Sequence, residues 1–364
     1  MPQVSIIIAV YNGQKDLQHC VNSILHQTFK DLEVIVVNDG STDNTAKICN
    51  ELEKSDNRVK IISKQNDGRM KARLTGYLAA QGEFLAFFDH DDYLPKNAIQ
   101  CLYDIIKKYQ VDCAVGSHEA VLGSFPLFKK YVTFPTTGHV ISGESRWEEC
   151  FGFLENYGGG DRLPTFMWGK LFRKSCIDKA WSEEPELLFQ KVLMEDCWFN
   201  LVSLKYINSI YVTNDVVYYY RVGGSTSGDY PMLENSNHYF NYRYRFFEKA
   251  ERGRDQLLSQ TYICFINTLY WEVRLKLRSK KYTQKQISNF ICSQINEQDV
   301  VKWARNHPEC IPSQVNKMST PVLNHDDEYI INTSQEEINR LRKRDTFKKV
   351  LIKCMDYTYS IIKH

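Results

Sequence analysis

The sequence predicts an α/β fold, a sheet of parallel strands flanked by helices, with a C-terminal helical extension. Two observations lead there. Short β-branched runs alternate with amphipathic segments through the first 115 residues, which is the pattern of a parallel sheet covered by helices. Residues 235–305 are instead rich in long helix formers and aromatics.

Val4 to Val10 reads as a buried strand, and Leu17, Cys20, Val21, Ile24 and Leu25 then recur at helical spacing. Glu33 to Asp39 returns to strand composition. Asp43-Asn44-Thr45 offers a cap for a helix carrying Ile48, Cys49 and Leu52. Val59 to Ser63 is a third strand, and a helix through Met70, Leu74, Tyr77 and Leu78 leads to a fourth at Phe84 to Phe88. Pro95 suits the first turn of the next helix, whose apolar face is Ile99, Leu102, Ile105 and Ile106. A strand follows around Val111 to Val115. Residues 116–165 lose the steady period and include Gly158-Gly159-Gly160, which reads as a loop or a lid. Compact α/β character resumes from Trp168 to Tyr220, with a strand at Tyr211 to Tyr220. The expected domains are residues 1–230, divided into halves at 1–115 and 116–230, a helical region at 231–345 and a basic amphipathic tail at 346–364.

Composition narrows the function. Over 364 residues, 46 Lys+Arg stand against 44 Asp+Glu, so the large basic excess of a dedicated nucleic-acid binder is missing. The 11 cysteines are odd in number and form no C-x-x-C pair, so they read as reduced thiols rather than a disulfide framework. No stretch approaches the ~20 apolar residues of a membrane span. The opening residues lack a signal peptide's basic start, which leads to the expectation of a cytoplasmic protein. The last stretch, Arg340 to His364, carries eight Lys/Arg and two Asp. As a helix it could lie on the inner face of an anionic membrane, or pack on its own domain or on a second subunit.

In parallel α/β sheets ligands bind beyond the carboxyl ends of the strands. The first strand ends in Tyr11-Asn12-Gly13, the second in Asn38-Asp39-Gly40-Ser41 and the fourth in Asp89-His90-Asp91-Asp92. An aromatic plane, an isolated carboxylate and an acidic cluster then converge on one edge. That combination suits a nucleotide: the ring can stack on a base, Asp39 can accept from a base N–H, and the cluster can hold a divalent cation bridging phosphates. A dinucleotide fold would need G-x-G-x-x-G after the first strand, and neither that turn nor a P-loop is present. Phosphatases with an Asp-x-Asp nucleophile place it after their first strand, whereas this cluster follows the fourth.

Five segments in order resemble the signatures of family 2 glycosyltransferases with the GT-A fold, a Rossmann-like nucleotide-sugar-binding mixed sheet. They are Val4 to Asn12, Asp39 to Thr45, Asn66-Asp67-Gly68 with Ala72-Arg73, Phe88 to Leu94, and a weaker portion with Trp168 to Arg173, Glu195-Asp196 and Arg221 to Ser227. The resemblance implies that Val10, Tyr11, Asp39, Arg73 and Asp89 bind the nucleotide, with Asp39 accepting the uracil N3–H. It makes Asp89 and Asp91 the metal carboxylates, with Asp91 the direct ligand and Mn²⁺ or Mg²⁺ the ion. His90 between them departs from the small residue commoner in the family.

Arg69, Lys71, Arg221 and Ser225 are further candidates near the diphosphate. Trp168 and Lys170 are candidates beside the acceptor, Trp168 alternatively a core anchor. Asp196 is the implied general base of an inverting displacement, and Glu195 positions the acceptor or caps a helix. The expected protein is thus a metal-dependent transferase moving a sugar from a nucleotide sugar, a UDP-sugar above others, to a saccharide or lipid-linked acceptor in bacterial surface polysaccharide assembly. The alternatives are a nucleotidyltransferase and a non-catalytic nucleotide-sugar-binding subunit.

Overall fold

The computed structural model describes residues 1–122, 125–131, 137–151, 166–183, 195–221 and 236–340. The described residues up to 221 form one compact unit and those from 236 to 340 another.

The first unit is built on a nine-stranded mixed sheet. Strands β1 (Val4–Val10), β2 (Leu32–Asp39), β3 (Val59–Lys64) and β4 (Phe84–Asp89) lie in the order β3-β2-β1-β4 and run parallel. Such strands are buried on both faces, which is why they read as continuous apolar runs. One face of β1 and β2, with Ile6, Ile8, Val34 and Val36, joins the core cluster of Leu17, Val21 and Ile24 from helix α1 (Leu17–Leu25). The other face meets helix α3 (Arg69–Ala79), which comes so close at Gly76 that a Cβ there would stand 2.5 Å from Ile7 Cγ2. Helix α2 (Thr45–Ser55) starts as the sequence suggests, but the cap is Asp43, which accepts from the Thr45 N–H at 2.9 Å.

Beyond β4 the expectations need correction. Pro95 precedes helix α4 (Ala98–Tyr109) instead of occupying its first turn. Its carbonyl accepts from Ala98 N–H and from Gln27 Nε2, and Gln27 Oε1 in turn accepts from Ile99 N–H, so a distant side chain caps this helix. Strand β5 runs Cys113–Leu122, well past Val115, because it pairs along its length with β9 (Ser209–Arg221). Strands β6 (Phe125–Tyr131) and β7 (Val140–Ser142) pair antiparallel with β5 and β9. Helix α5 (Ser145–Phe151) follows. The short strand β8 (Lys170–Arg173) inserts antiparallel between β4 and β5 and makes the sheet mixed. Helices α6 (Lys174–Glu183) and α7 (Glu195–Tyr206) lie before β9. The glycine run at 158–160 falls outside the described residues.

The second unit is helical, from α8 (Ser236–Phe247) through the 26-residue α9 (Arg254–Ser279) to the last described residues, which are also helical. No described helix is long and apolar enough to cross a membrane. The basic tail at 346–364 lies outside the described residues.

Candidate active site

The strand register sets the geometry. Val10 pairs with Asn38 and Ala9 with Asp89, so the turns after β1, β2 and β4 emerge side by side. Asn12 turns the chain in a left-handed conformation, φ 53°, and its Oδ1 accepts from Thr42 N–H at 2.8 Å. Asn12 N–H donates to Ser41 Oγ at 3.0 Å and Gly13 N–H to Thr45 Oγ1 at 2.9 Å. These bonds stitch the first turn to the second. Gly13 also lies against His90, whose Cδ2 would be 2.6 Å from a Cβ at position 13, so a side chain there would displace the acidic turn. His90 is thus a packing element between two turns. The Tyr11 ring is 47% exposed and open to stacking, whereas the Val10 side chain belongs to the core and only its backbone could meet a ligand.

Asp39 is buried at the end of β2. Its Oδ1 accepts from Lys64 Nζ at 2.8 Å and from Asp67 N–H at 3.1 Å, and its Oδ2 from Gly68 N–H at 2.9 Å. Gly68, with φ 93°, allows the chain to turn both amides toward that carboxylate before α3 begins.

Helix α3 then delivers three cations with separate duties. Lys71 pairs with Asp67 at 2.6 Å, and Arg69 reaches Glu195 at 3.2 Å. Arg73 is almost completely buried and binds two carboxylates at once, Asp89 through Nη2 at 2.9 Å and Asp196 through Nη1 at 2.8 Å. It joins the end of β4 to the first turn of α7. Burial opposes the guanidinium charge, but Asp196, Asp89 and Glu195 together hold its pKa above the ordinary arginine value. Burial and the neighbouring Asp196 push the Glu195 carboxyl up to about 7, against the pull of Arg69 and Arg73.

The acidic turn divides its labour too. Asp92 is buried, accepting from Tyr218 OH at 2.7 Å and Arg221 N–H at 2.8 Å, and burial lifts it to about 8 with Asp89 and Asp91 adding to the rise. It ties the turn to β9. Asp89 and Asp91 are an oxygen-only donor pair, the chemistry a hard cation prefers. Among the described residues no group of three or more metal-ligating side chains occurs.

The remaining candidates have protein partners of their own. Arg221 is engaged by Asp16 beside α1 at 2.6 Å, and Ser225 lies outside the described residues. Trp168 and Lys170 are both buried, Trp168 as the alternative of a core anchor has it. Trp168 stacks between Phe166 and Tyr218 with ring centroids 4.1 and 4.2 Å away. Lys170 donates to the Phe166 carbonyl, and desolvation lowers it to about 8. Asn200 donates to that same carbonyl and to Asp196 O at 2.7 Å, so this buried group supports the base of α7. The bonds of Asp92, Asp16 and Lys64 escaped sequence reasoning. For Lys64 the signal was available, since it is the last residue of β3 and aligns with Asp39 at the end of β2.

A parallel four-stranded half, an acidic turn after its fourth strand and an antiparallel insertion make this a GT-A fold. S. aureus TarS 1–349, solved in complex with UDP-GlcNAc, has the same architecture, with a TM-score of 0.67 at 20% identity over 93% of this chain and 92% of that one. Residues 5–177 match Glycosyl transferase family 2, which makes that part of the chain a member of the family. Glycosyltransferase GlyA of Streptococcus pneumoniae is 30% identical over 60% of this chain and 30% of its own length. Chondroitin synthase of Pasteurella multocida is 40% identical over 72% of this chain and 26% of its own. The chain spans less than two thirds of the length of such relatives, 30% for GlyA and 64% for EpsJ of Bacillus subtilis.

Proposed function

We propose that the chain is an inverting glycosyltransferase that moves a sugar from a UDP-sugar to a saccharide or glycoconjugate hydroxyl. The observation that carries the reading is Arg73, which holds Asp89 of the donor side and Asp196 of the acceptor side in one site. Tyr11 stacks on the base and Asp39 accepts its imide N–H. Asp89 and Asp91 would hold a divalent cation, which when bound offsets charge on the leaving diphosphate.

Asp196 takes the proton from the attacking hydroxyl, opposite the leaving group. Its bond to Arg73 fixes the direction of the carboxylate. Arg69 steers Glu195, which lines the acceptor side of the base. TarS, complexed with UDP-GlcNAc and UDP, supports the donor class, and chondroitin synthase supports a polysaccharide product. The proposal includes a cytoplasmic location.

The test is release of free UDP from a panel of UDP-sugars with Mn²⁺, Mg²⁺ or chelator. The wild type is expected to release UDP only with a cation. Asp196→Asn is expected to lower turnover about 10²- to 10⁴-fold while retaining UDP binding. Undiminished turnover would remove Asp196 from the role, and release of pyrophosphate would indicate nucleotidyl transfer instead.

A further inference from the structure

We propose that Lys64 determines base selectivity, reading a carbonyl of the nucleobase beside the N–H that Asp39 reads. This deepens the nucleotide-sugar reading and rests on it. Parallel pairing of β2 and β3 sets Asp39 directly opposite Lys64 at the carboxyl ends of both strands, where ligands bind. The ammonium lies 2.8 Å from Asp39 Oδ1 and also donates to Gln65 O at 2.8 Å. An ammonium has three donors, so one is left for a ligand.

Asp39 is similarly part-used. An ionised carboxylate accepts at about four positions, and Lys64, Asp67 N–H and Gly68 N–H take three of them, with Oδ2 engaged once. The site therefore presents one acceptor next to one cationic donor. Asp39 is 3% exposed while the Lys64 side chain beside it is 23% exposed, so the ammonium in contact with the carboxylate is the more accessible of the pair.

The pattern has a definite complement. Uracil carries an N–H flanked by carbonyl oxygens; with the N–H on Asp39, the adjoining carbonyl faces Lys64. Cytosine keeps the O2 carbonyl but turns a ring nitrogen lone pair toward the carboxylate and, in place of the O4 carbonyl assigned to Lys64, an amino group. A site built for one hydrogen-bonding pattern rejects an analogue that leaves its buried groups unpaired. A purely structural role for Lys64, holding the Asp39 carboxylate in place, would make Lys64→Met and Lys64→Gln lose the UDP preference alike, whereas direct reading of the base separates the two variants.

The experiment is calorimetric titration of the full chain with UDP, CDP and GDP in the presence of Mg²⁺, for the wild type, Lys64→Met, Lys64→Gln and Lys64→Arg. The wild type is expected to favour UDP over CDP. Lys64→Met is expected to weaken UDP about ten- to a hundredfold with little change for CDP, so that the ratio collapses. Lys64→Gln, whose amide can also accept, should move the ratio toward CDP, and Lys64→Arg should recover most of the preference. A wild-type UDP:CDP ratio in both Lys64→Met and Lys64→Gln overturns the assignment while leaving the nucleotide-sugar reading intact. Binding of no nucleotide, or preference for GDP, by the wild type overturns that reading itself.

Discussion

Arg73 ties together two carboxylates that lie far apart in the chain, and it does so from a buried position. A guanidinium can serve both because its planar fork offers several donors at fixed angles. Removing it leaves Asp89 and Asp196 without their shared cation and Glu195 with Arg69 alone. Arg73→Met is therefore expected to destabilise the fold by about 3–5 kcal/mol, as loss of one member of a buried pair does. Urea denaturation measures this. Arg73→Lys keeps the charge but cannot bridge both partners, so it should lose less stability while transfer falls on the order of 10²-fold from misplacement of Asp196. Equal losses of stability in the two variants would show that the fork geometry is irrelevant.

Helix α3 can carry Arg73 into the site because it lies almost on the sheet. Gly76 allows that approach, with room for a hydrogen but not for a methyl against Ile7 Cγ2, and Val37 Cγ2 would be 3.2 Å away. Gly76→Ala should cost about 1–3 kcal/mol by overpacking, against the usual gain for alanine in a helix. Chemical denaturation of the variant measures the cost, and a variant as stable as wild type would mean that α3 moves away freely. Close approach of this kind leaves no trace in apolar periodicity, which explains what the sequence made legible. Strands β1 to β4 announce themselves through residues buried on both faces. Strand β5 continues through Gly116, Ser117, His118 and Glu119, which look like loop residues until β9 pairs with them. Strand β8 has four residues and takes its strand character wholly from β4 and β5. The three turns of the site were readable because strand ends in a parallel sheet point one way. The bond from Arg73 to Asp196 was not, since no local pattern encodes a partner 123 positions away.

Across the whole molecule, buried charge is treated differently in the two units. In the first, Arg69 and Arg73 answer the acidic groups around them. In the second, Glu272 on α9 is 2% exposed and its Oε1 has no hydrogen-bond partner, so burial pushes its pKa to about 10, with Lys276 pulling back only in part. The folded unit then holds a proton that the unfolded chain releases near pH 4.5, the ordinary value for this group. Its folded pKa is raised, so the stability linked to that proton is complete below pH 4.5 and declines as pH rises toward 10. Glu272→Gln preserves the shape and removes the ionisation. The variant is expected to unfold at a higher temperature than the wild type at pH 8, and the gap should close as pH falls to 5. Scanning calorimetry at the two pH values reads this directly. A gap that stays constant between them would mean that Glu272 finds a compensating charge in the folded unit, and its cost to the helical region would have to be discarded.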